Sequence, residues 1–91
     1  MDIPQWFSAR FKRPVVLTRH GIARMAERRV TVQMVAELIE TGDMIQKNER
    51  NSWISKAFSD RDDNLICTAV AFEAALVVKT VMHNWQLMET P

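Results

Sequence analysis

The spacing of the apolar residues changes at Gly42, and this change most constrains the fold. Before it, apolar side chains recur at helical spacing, and Thr18 and Thr31 are suitable N-caps for helices ending near Arg29 and at Gly42. After it, β-branched residues and alternation favour four strands, at 43–48, 52–59, 65–73 and 75–85. Segregated helices and strands predict an α+β fold: two N-terminal helices on one face of a four-stranded antiparallel sheet, in the order α-α-β-β-β-β.

Shorter segments complete the prediction. Aromatic residues near helical spacing in 4–13 predict a short helical turn that ends before Pro14, and 15–17 is extended. The acidic stretch 60–64 is typical of a turn. The join "FEAA" between the last two strands lacks the Gly or Asn of a tight hairpin, yet we expect a hairpin there.

Length and cysteine content narrow the class of protein. Ninety-one residues suit a single domain over 1–91. One cysteine, Cys67, permits no internal disulfide, which fits a reducing cytoplasm; in a strand it behaves as a buried small hydrophobe. The N-terminus lacks the apolar run of a signal peptide, and the longest apolar stretch falls short of the ~20 residues that span a bilayer. We therefore expect a cytoplasmic protein without membrane contact.

The charge is distributed unevenly along the chain. Residues 1–30 carry seven basic and two acidic side chains, whereas 31–91 carry five basic and nine acidic ones. A net charge of only +1 argues against general nucleic-acid affinity. The asymmetry instead predicts a local anion-binding patch in the first third of the chain.

Three residues of the first helix share one face. His20, Arg24 and Arg28 are spaced i, i+4, i+8. In the first turn the helix macrodipole favours neutral imidazole, the form that acts as a general base, and arginine binds phosphate oxygens in pairs. Gly21 beside the histidine would let a substrate approach the backbone. The pattern fits metal-independent RNA cleavage, but it also fits a solvated helix face with ion pairs to Glu27.

The stretch "RHGIARMAERRVTVQMVAELIETGDMI" resembles the helix-pair signature of a prokaryotic domain-of-unknown-function family: a His followed by Ala or Gly, then Arg, Met and a second Arg. That family has been linked to the RelE/barnase-like ribonuclease fold of toxin–antitoxin systems and polymorphic toxins. The match covers residues 18–45 and extends more loosely to "VVKTV". Gly21, Val30 and the ending "MHNW" depart from the family pattern.

The resemblance implies a toxin-type endoribonuclease, or a relic of one, that cleaves RNA at the His20, Arg24 and Arg28 face. Its matching positions add Thr80 in the last strand to the catalytic candidates. Strand alternation places His83, Lys79 and Val81 on one face of the last strand, which we expect to be open, and Thr80 on the more apolar face that the helices cover. His83 is therefore a second candidate for acid–base chemistry. The candidate substrate contacts are Arg19, Arg29, Lys56 and Lys79.

The alternative is a catalytically inactive interaction module of the same fold, whose basic helix binds an acidic protein. The expected partners are RNA, free or on the ribosome, and an antitoxin or other acidic protein; a homodimer is compatible with the residues. A DNA-binding regulator is disfavoured because the second helix is acidic. The histidines, acids and cysteine lack ligand spacing, so the sequence predicts no metal and no cofactor.

Overall fold

A computed structural model describes residues 3–59, 61 and 65–85, which form six strands and two helices. In chain order the elements are β1 Ile3–Ser8, β2 Arg13–Leu17, α1 Arg19–Glu27, α2 Val32–Thr41, β3 Asp43–Gln46, β4 Asn51–Lys56, β5 Leu65–Phe72 and β6 Leu76–Trp85. The two predicted helices and the four predicted C-terminal strands are present. Of the predicted turn 60–64, all but Arg61 lies outside the described residues.

The sheet differs from the prediction of four antiparallel strands. It has six strands in the order β1-β2-β6-β5-β4-β3, and it is mixed because β2 pairs with β6 in parallel. The other neighbours pair antiparallel. The class remains α+β, but the predicted α-α-β-β-β-β order is wrong, since two strands precede the helices.

The segment 4–13 forms a strand and a turn where a helical turn was predicted. The turn back to β2 is closed by the N–H of Lys12, which donates to the carbonyl oxygen of Ser8 at 2.8 Å. Lys12 takes the left-handed conformation, with φ 56°, which a turn usually assigns to Gly or Asn. Because the turn contains neither Gly nor Asn, no pattern in the sequence indicated a hairpin here. Pro4 is tolerated because β1 lies at the edge of the sheet.

Both helices begin where the sequence predicts. Thr18 Oγ1 accepts from the N–H of Gly21 at 2.9 Å, and Thr31 Oγ1 accepts from the N–H of Met34 at 3.1 Å. Each side chain thus satisfies one of the unpaired donors in the first turn of its helix. The second helix ends at Gly42, also as predicted.

The two helix ends differ. α1 closes with the pattern of a Schellman motif: Arg29 is left-handed, with φ 54°, and the N–H of Val30 donates to Met25 at 2.9 Å. Gly42 has an ordinary φ of −76° and is needed for space. A Cβ there would lie 2.5 Å from the carbonyl oxygen of Leu38 and 2.8 Å from that of Ser55.

The core lies between the helices and one face of the sheet. From the helices it contains Met25, Val35, Leu38 and Ile39, and from the strands Val15, Leu17, Ile54, Ile66, Val70, Leu76, Val78 and Val81. The opposite face of the sheet, which we call the open face, carries the alternate residues of the same strands. It includes Asn51, Trp53, Ala71 and Val77.

A β-bulge overturns the predicted alternation in β6. Val70 pairs with Val78 and Ala69 pairs with Thr80, so Lys79 is an extra residue without a partner on β5. Beyond the bulge the two faces exchange. Val81 is therefore fully buried in the core, and Thr80 lies on the open face, the reverse of the prediction.

Within the described residues, no helix is long and apolar enough to cross a bilayer.

Candidate functional site

Three side chains along α1 and its C-cap form a polar row, which we call the α1 basic face: His20, Arg24 and Arg28. His20 is exposed, and the other two are half-buried. Arg24 Nε lies 3.4 Å from His20 Nε2, so the guanidinium contacts the imidazole directly. Arg24 also forms an ion pair with Glu27, one turn further along the helix. The i, i+4 spacing therefore brings Arg24 into contact with His20. The ion pair with Glu27, expected for a solvated helix face, is present as well.

Arg28 fixes this face to the sheet. Its NH1 group donates to the carbonyl oxygen of Val81 in β6 at 2.9 Å. At the other end of α1, Thr18 Oγ1 donates to the carbonyl oxygen of Val78 at 2.9 Å. Two anchors along one strand hold α1 alongside β6.

The anchor at Val81 places His83 near the arginine end of the face. His83 is two residues further along β6, a step of about 7 Å, where the pairing with β5 is irregular a second time, between Leu65 and Cys67. His83 is exposed. The two irregularities of β6 therefore end the simple alternation that grouped His83 with Lys79.

A cluster of arginines, which the sequence did not predict, surrounds the end of α1. The Arg61 guanidinium donates to the carbonyl oxygens of Arg29 at 2.7 Å and Arg28 at 3.0 Å. Arg28 is the C-cap of α1, at the negative end of the helix macrodipole, where cations are stabilised, and Arg29 is the residue after it. Arg61 belongs to the acidic stretch 60–64, whose composition predicted only a turn. We call Arg28, Arg29 and Arg61 the arginine cluster.

Gly21 does not open the backbone to a substrate, contrary to the prediction. It is buried against β6, where a Cβ would lie 3.0 Å from the carbonyl oxygen of Val78 and 3.1 Å from Thr18 Oγ1. The glycine lets α1 approach the strand closely. Its role is packing, and it helps bring the α1 basic face beside β6.

The remaining predicted residues are dispersed. Thr80 and Lys79 lie on the open face, across the sheet from His20. Lys56 is half-buried at the end of β4, and β5 separates that strand from β6. Arg19 and Arg29 are exposed at the two ends of α1. The structure thus groups His20, Arg24 and Arg28, with Arg29 and His83 nearby, and leaves Thr80, Lys79 and Lys56 apart.

The open face has its own polar constellation around a depression of 350 Å³. It is lined by Arg50, Asn51, Ala71, Glu73, Val77 and Lys79. Only Lys79 among these was a predicted site residue. The others come from separate parts of the chain and meet only through the strand register, which no local pattern in the sequence reveals.

Cys67 is not a nucleophile in this fold. The side chain is fully buried, and burial raises the pKa of its thiol to about 12. A thiol that stays protonated at neutral pH neither attacks a substrate nor binds a metal. Among the described residues, no three His, Cys, Asp or Glu side chains are grouped to hold a metal ion.

The comparisons with known proteins give one match. The family described as Domain of unknown function (DUF4258) matches residues 17–83, from the end of β2 to His83. This range includes the α1 basic face, the arginine cluster and every residue that lines the depression. No curated protein and no solved structure matches the chain.

Proposed function

The chain belongs to the DUF4258 family, and we propose that it is a cytoplasmic, metal-independent endoribonuclease of the toxin type. In this proposal RNA binds along the α1 basic face, and an acidic antitoxin protein covers the same face when the enzyme is held inactive. The likeness of the helix signature to families linked with RelE/barnase-like ribonucleases supports the reaction class. The contacts of the basic face support the choice of site.

One observation carries the assignment: Arg28 is anchored to Val81 while Arg24 contacts His20. A basic face whose side chains are already oriented loses little conformational freedom when it binds a phosphate. Arginine also suits the pentacoordinate transition state, because its planar fork stabilises two phosphate oxygens at once. A loose row of solvated arginines would lack this preorganisation.

The proposed reaction is a transesterification at phosphorus. Arg24 Nε releases His20 Nε2 as its guanidinium turns to the phosphate. His20 then accepts the proton of a ribose 2′-hydroxyl, and the 2′-oxygen forms a bond to phosphorus. The bond from phosphorus to the 5′-oxygen breaks, and that oxygen takes a proton from solvent, which reaches the exposed His20 freely. The products are a 2′,3′-cyclic phosphate and a 5′-hydroxyl. No metal ion enters this balance.

The arginines have separate roles in the proposal. Arg24 exchanges its ion pair with Glu27 for the scissile phosphate, and an exposed pair of this kind is weak enough to be given up. The arginine cluster, which includes Arg28, binds the next phosphate along the RNA, near His83. Thr80 has no part in this chemistry because it lies on the open face.

The test is a cleavage assay of total RNA and of translating ribosomes, in EDTA, with three purified proteins. Wild type should cleave, and His20→Ala should lower the rate at least 100-fold, the usual contribution of a general base. Glu37→Gln, an exposed substitution on α2, is the matched control and should cleave like wild type. Equal melting temperatures for the three proteins would show that folding is unaffected. Cleavage that persists in His20→Ala would overturn the site.

A second function is favoured by the ion pair between Arg24 and Glu27. A basic face that already holds a carboxylate is suited to bind carboxylates of an acidic protein without chemistry. In that case neither total RNA nor the RNA of translating ribosomes is cleaved, and an acidic peptide such as oligoglutamate binds the wild-type protein. Arg24→Glu should then abolish peptide binding, because it reverses the charge at the centre of the face.

A further inference from the structure

We infer that the depression on the open face is a binding site for a nucleoside monophosphate. The site is independent of the proposed ribonuclease chemistry, because it lies on the opposite side of the sheet from His20. At 350 Å³ it falls in the size range of small-ligand pockets. Its composition also fits such a pocket, with a small apolar floor and a few polar groups at the rim.

The floor of the depression is formed by small apolar side chains. Ala71 of β5 and Val77 of β6 pair directly across the two strands and lie under the polar rim. Larger residues at these positions would fill the space. Ala71 is only 7% exposed, so the half-buried Val77 supplies most of the apolar surface on which the ring of a nucleobase can rest.

The rim supplies the groups that a nucleotide requires. Lys79 and Arg50 are the cations for a phosphate, and Glu73 accepts hydrogen bonds from ribose hydroxyls. The Asn51 amide donates from Nδ2 to Asn48 Oδ1 at 3.0 Å and accepts at Oδ1 from Lys79, and it can donate to and accept from a base edge by exchanging these exposed contacts. Asparagine pairs in this two-point manner with adenine. Two cations and one carboxylate leave a net charge of +1 for a phosphate to neutralise.

The β-bulge is the second observation that points to a ligand site. Lys79 is the extra residue of the bulge, and its Nζ donates to Asn51 Oδ1 at 3.2 Å across the intervening strand β5. Bulges are common next to functional sites. Alternation from Val77 already places Lys79 on the open face, and the bulge moves only the residues that follow it, so that Val81 is in the core.

Both cations have partners that a ligand can replace. Lys79 is bonded to Asn51, and Arg50 lies 3.1 Å from Glu73 in an exposed ion pair. Exposed contacts of this kind contribute little to stability. A phosphate that offers several oxygens to both cations replaces them at small cost and frees Asn51 Oδ1 and the Glu73 carboxylate for the rest of the nucleotide.

The test is calorimetric titration of the full chain with AMP, adenosine and inorganic phosphate. We expect AMP to bind with a dissociation constant below about 1 mM, and the other two at least about tenfold more weakly, since each engages half of the site. Lys79→Gln should weaken AMP binding about tenfold through loss of a charge-assisted hydrogen bond. Lys12→Gln, an exposed lysine on the β1–β2 turn, is the control and should leave it unchanged.

Two further variants distinguish failure of the nucleotide site from failure of the proposed ribonuclease site. Ala71→Leu fills the floor without altering the charge, so it should abolish AMP binding. His20→Ala should retain AMP binding even where it abolishes RNA cleavage, which keeps the two sites distinguishable. The inference is overturned if AMP does not bind at about 10 mM, if phosphate binds as tightly as AMP, or if Lys79→Gln and Ala71→Leu bind like wild type.

Discussion

Arg28 NH1 donates a 2.9 Å hydrogen bond to the carbonyl oxygen of Val81 and so joins the end of α1 to β6. The bond is half-buried, and it belongs to a side chain that the helical spacing also places in the α1 basic face. Arg28 therefore stabilises the fold, whether or not it also binds a ligand. This separates it from Arg24, whose side-chain contacts among the described residues are with His20 and Glu27 of its own helix.

Arg28→Ala should lower the free energy of unfolding by about 1–2 kcal/mol, because a half-buried carbonyl loses a charged donor. Arg24→Ala should lower it by less than about 0.5 kcal/mol, because an exposed ion pair within one helix contributes little. Urea unfolding of the two variants beside wild type measures both values. Equal losses would contradict the structural role of the Val81 anchor.

Glu40 links α2 to the β1–β2 turn through three donors. Its carboxylate accepts from the Ser8 hydroxyl and from the backbone N–H groups of Ala9 and Arg10, the latter two at 3.0 and 3.1 Å. Ser8 is fully buried. Removal of the carboxylate would leave that hydroxyl without this acceptor in an environment that water does not reach.

Glu40→Ala should therefore destabilise the protein by about 2–3 kcal/mol. Glu37→Ala, on the exposed side of the same helix, is the matched control and should change stability by less than about 0.5 kcal/mol. Thermal unfolding followed by circular dichroism tests the pair. A Glu40 variant as stable as the Glu37 variant would show that the network is dispensable.

Local chemistry in the sequence was sufficient to predict the helices. Thr18 and Thr31 are N-caps, and Gly42 ends α2, because each acts on the turn next to it in the chain. The four C-terminal strands were also predictable, since β-branched residues and alternation mark them within a few residues of their bounds. The α1 basic face follows from spacing alone.

Features that depend on strand register were not predictable. The β1–β2 hairpin turns at Lys12 without Gly or Asn, and the bulge at Lys79 appears only when β6 is paired with β5. That bulge decides which face Thr80 and Val81 occupy, so it also decides which site residues meet. The carbonyl contacts of Arg61 and the depression on the open face arise from long-range contacts in the same way.

The loss of stability when each of the two glycines is replaced by alanine should depend on the space around it. Gly42→Ala places a Cβ 2.5 Å from one carbonyl oxygen and 2.8 Å from another, so we expect a loss of about 3 kcal/mol. Gly21→Ala meets contacts of 3.0 and 3.1 Å and gains helix propensity, so the net loss should be near 1 kcal/mol. Melting temperatures give the order directly. A Gly21 variant less stable than the Gly42 variant would contradict the packing geometry.

Cys67 gives a prediction of pH dependence. Burial raises the pKa of its thiol from 9.0 to about 12, so between these values the unfolded chain loses the proton and the folded chain keeps it. The stability from this burial is complete below pH 9 and decreases as the pH rises toward 12. Urea unfolding at pH 8 and pH 10 should show a smaller decline for Cys67→Ala than for wild type, with the conservative substitution Val35→Ile as a control that declines like wild type. Iodoacetamide should label Cys67 only after unfolding; labelling of the native protein at pH 8 would contradict both expectations.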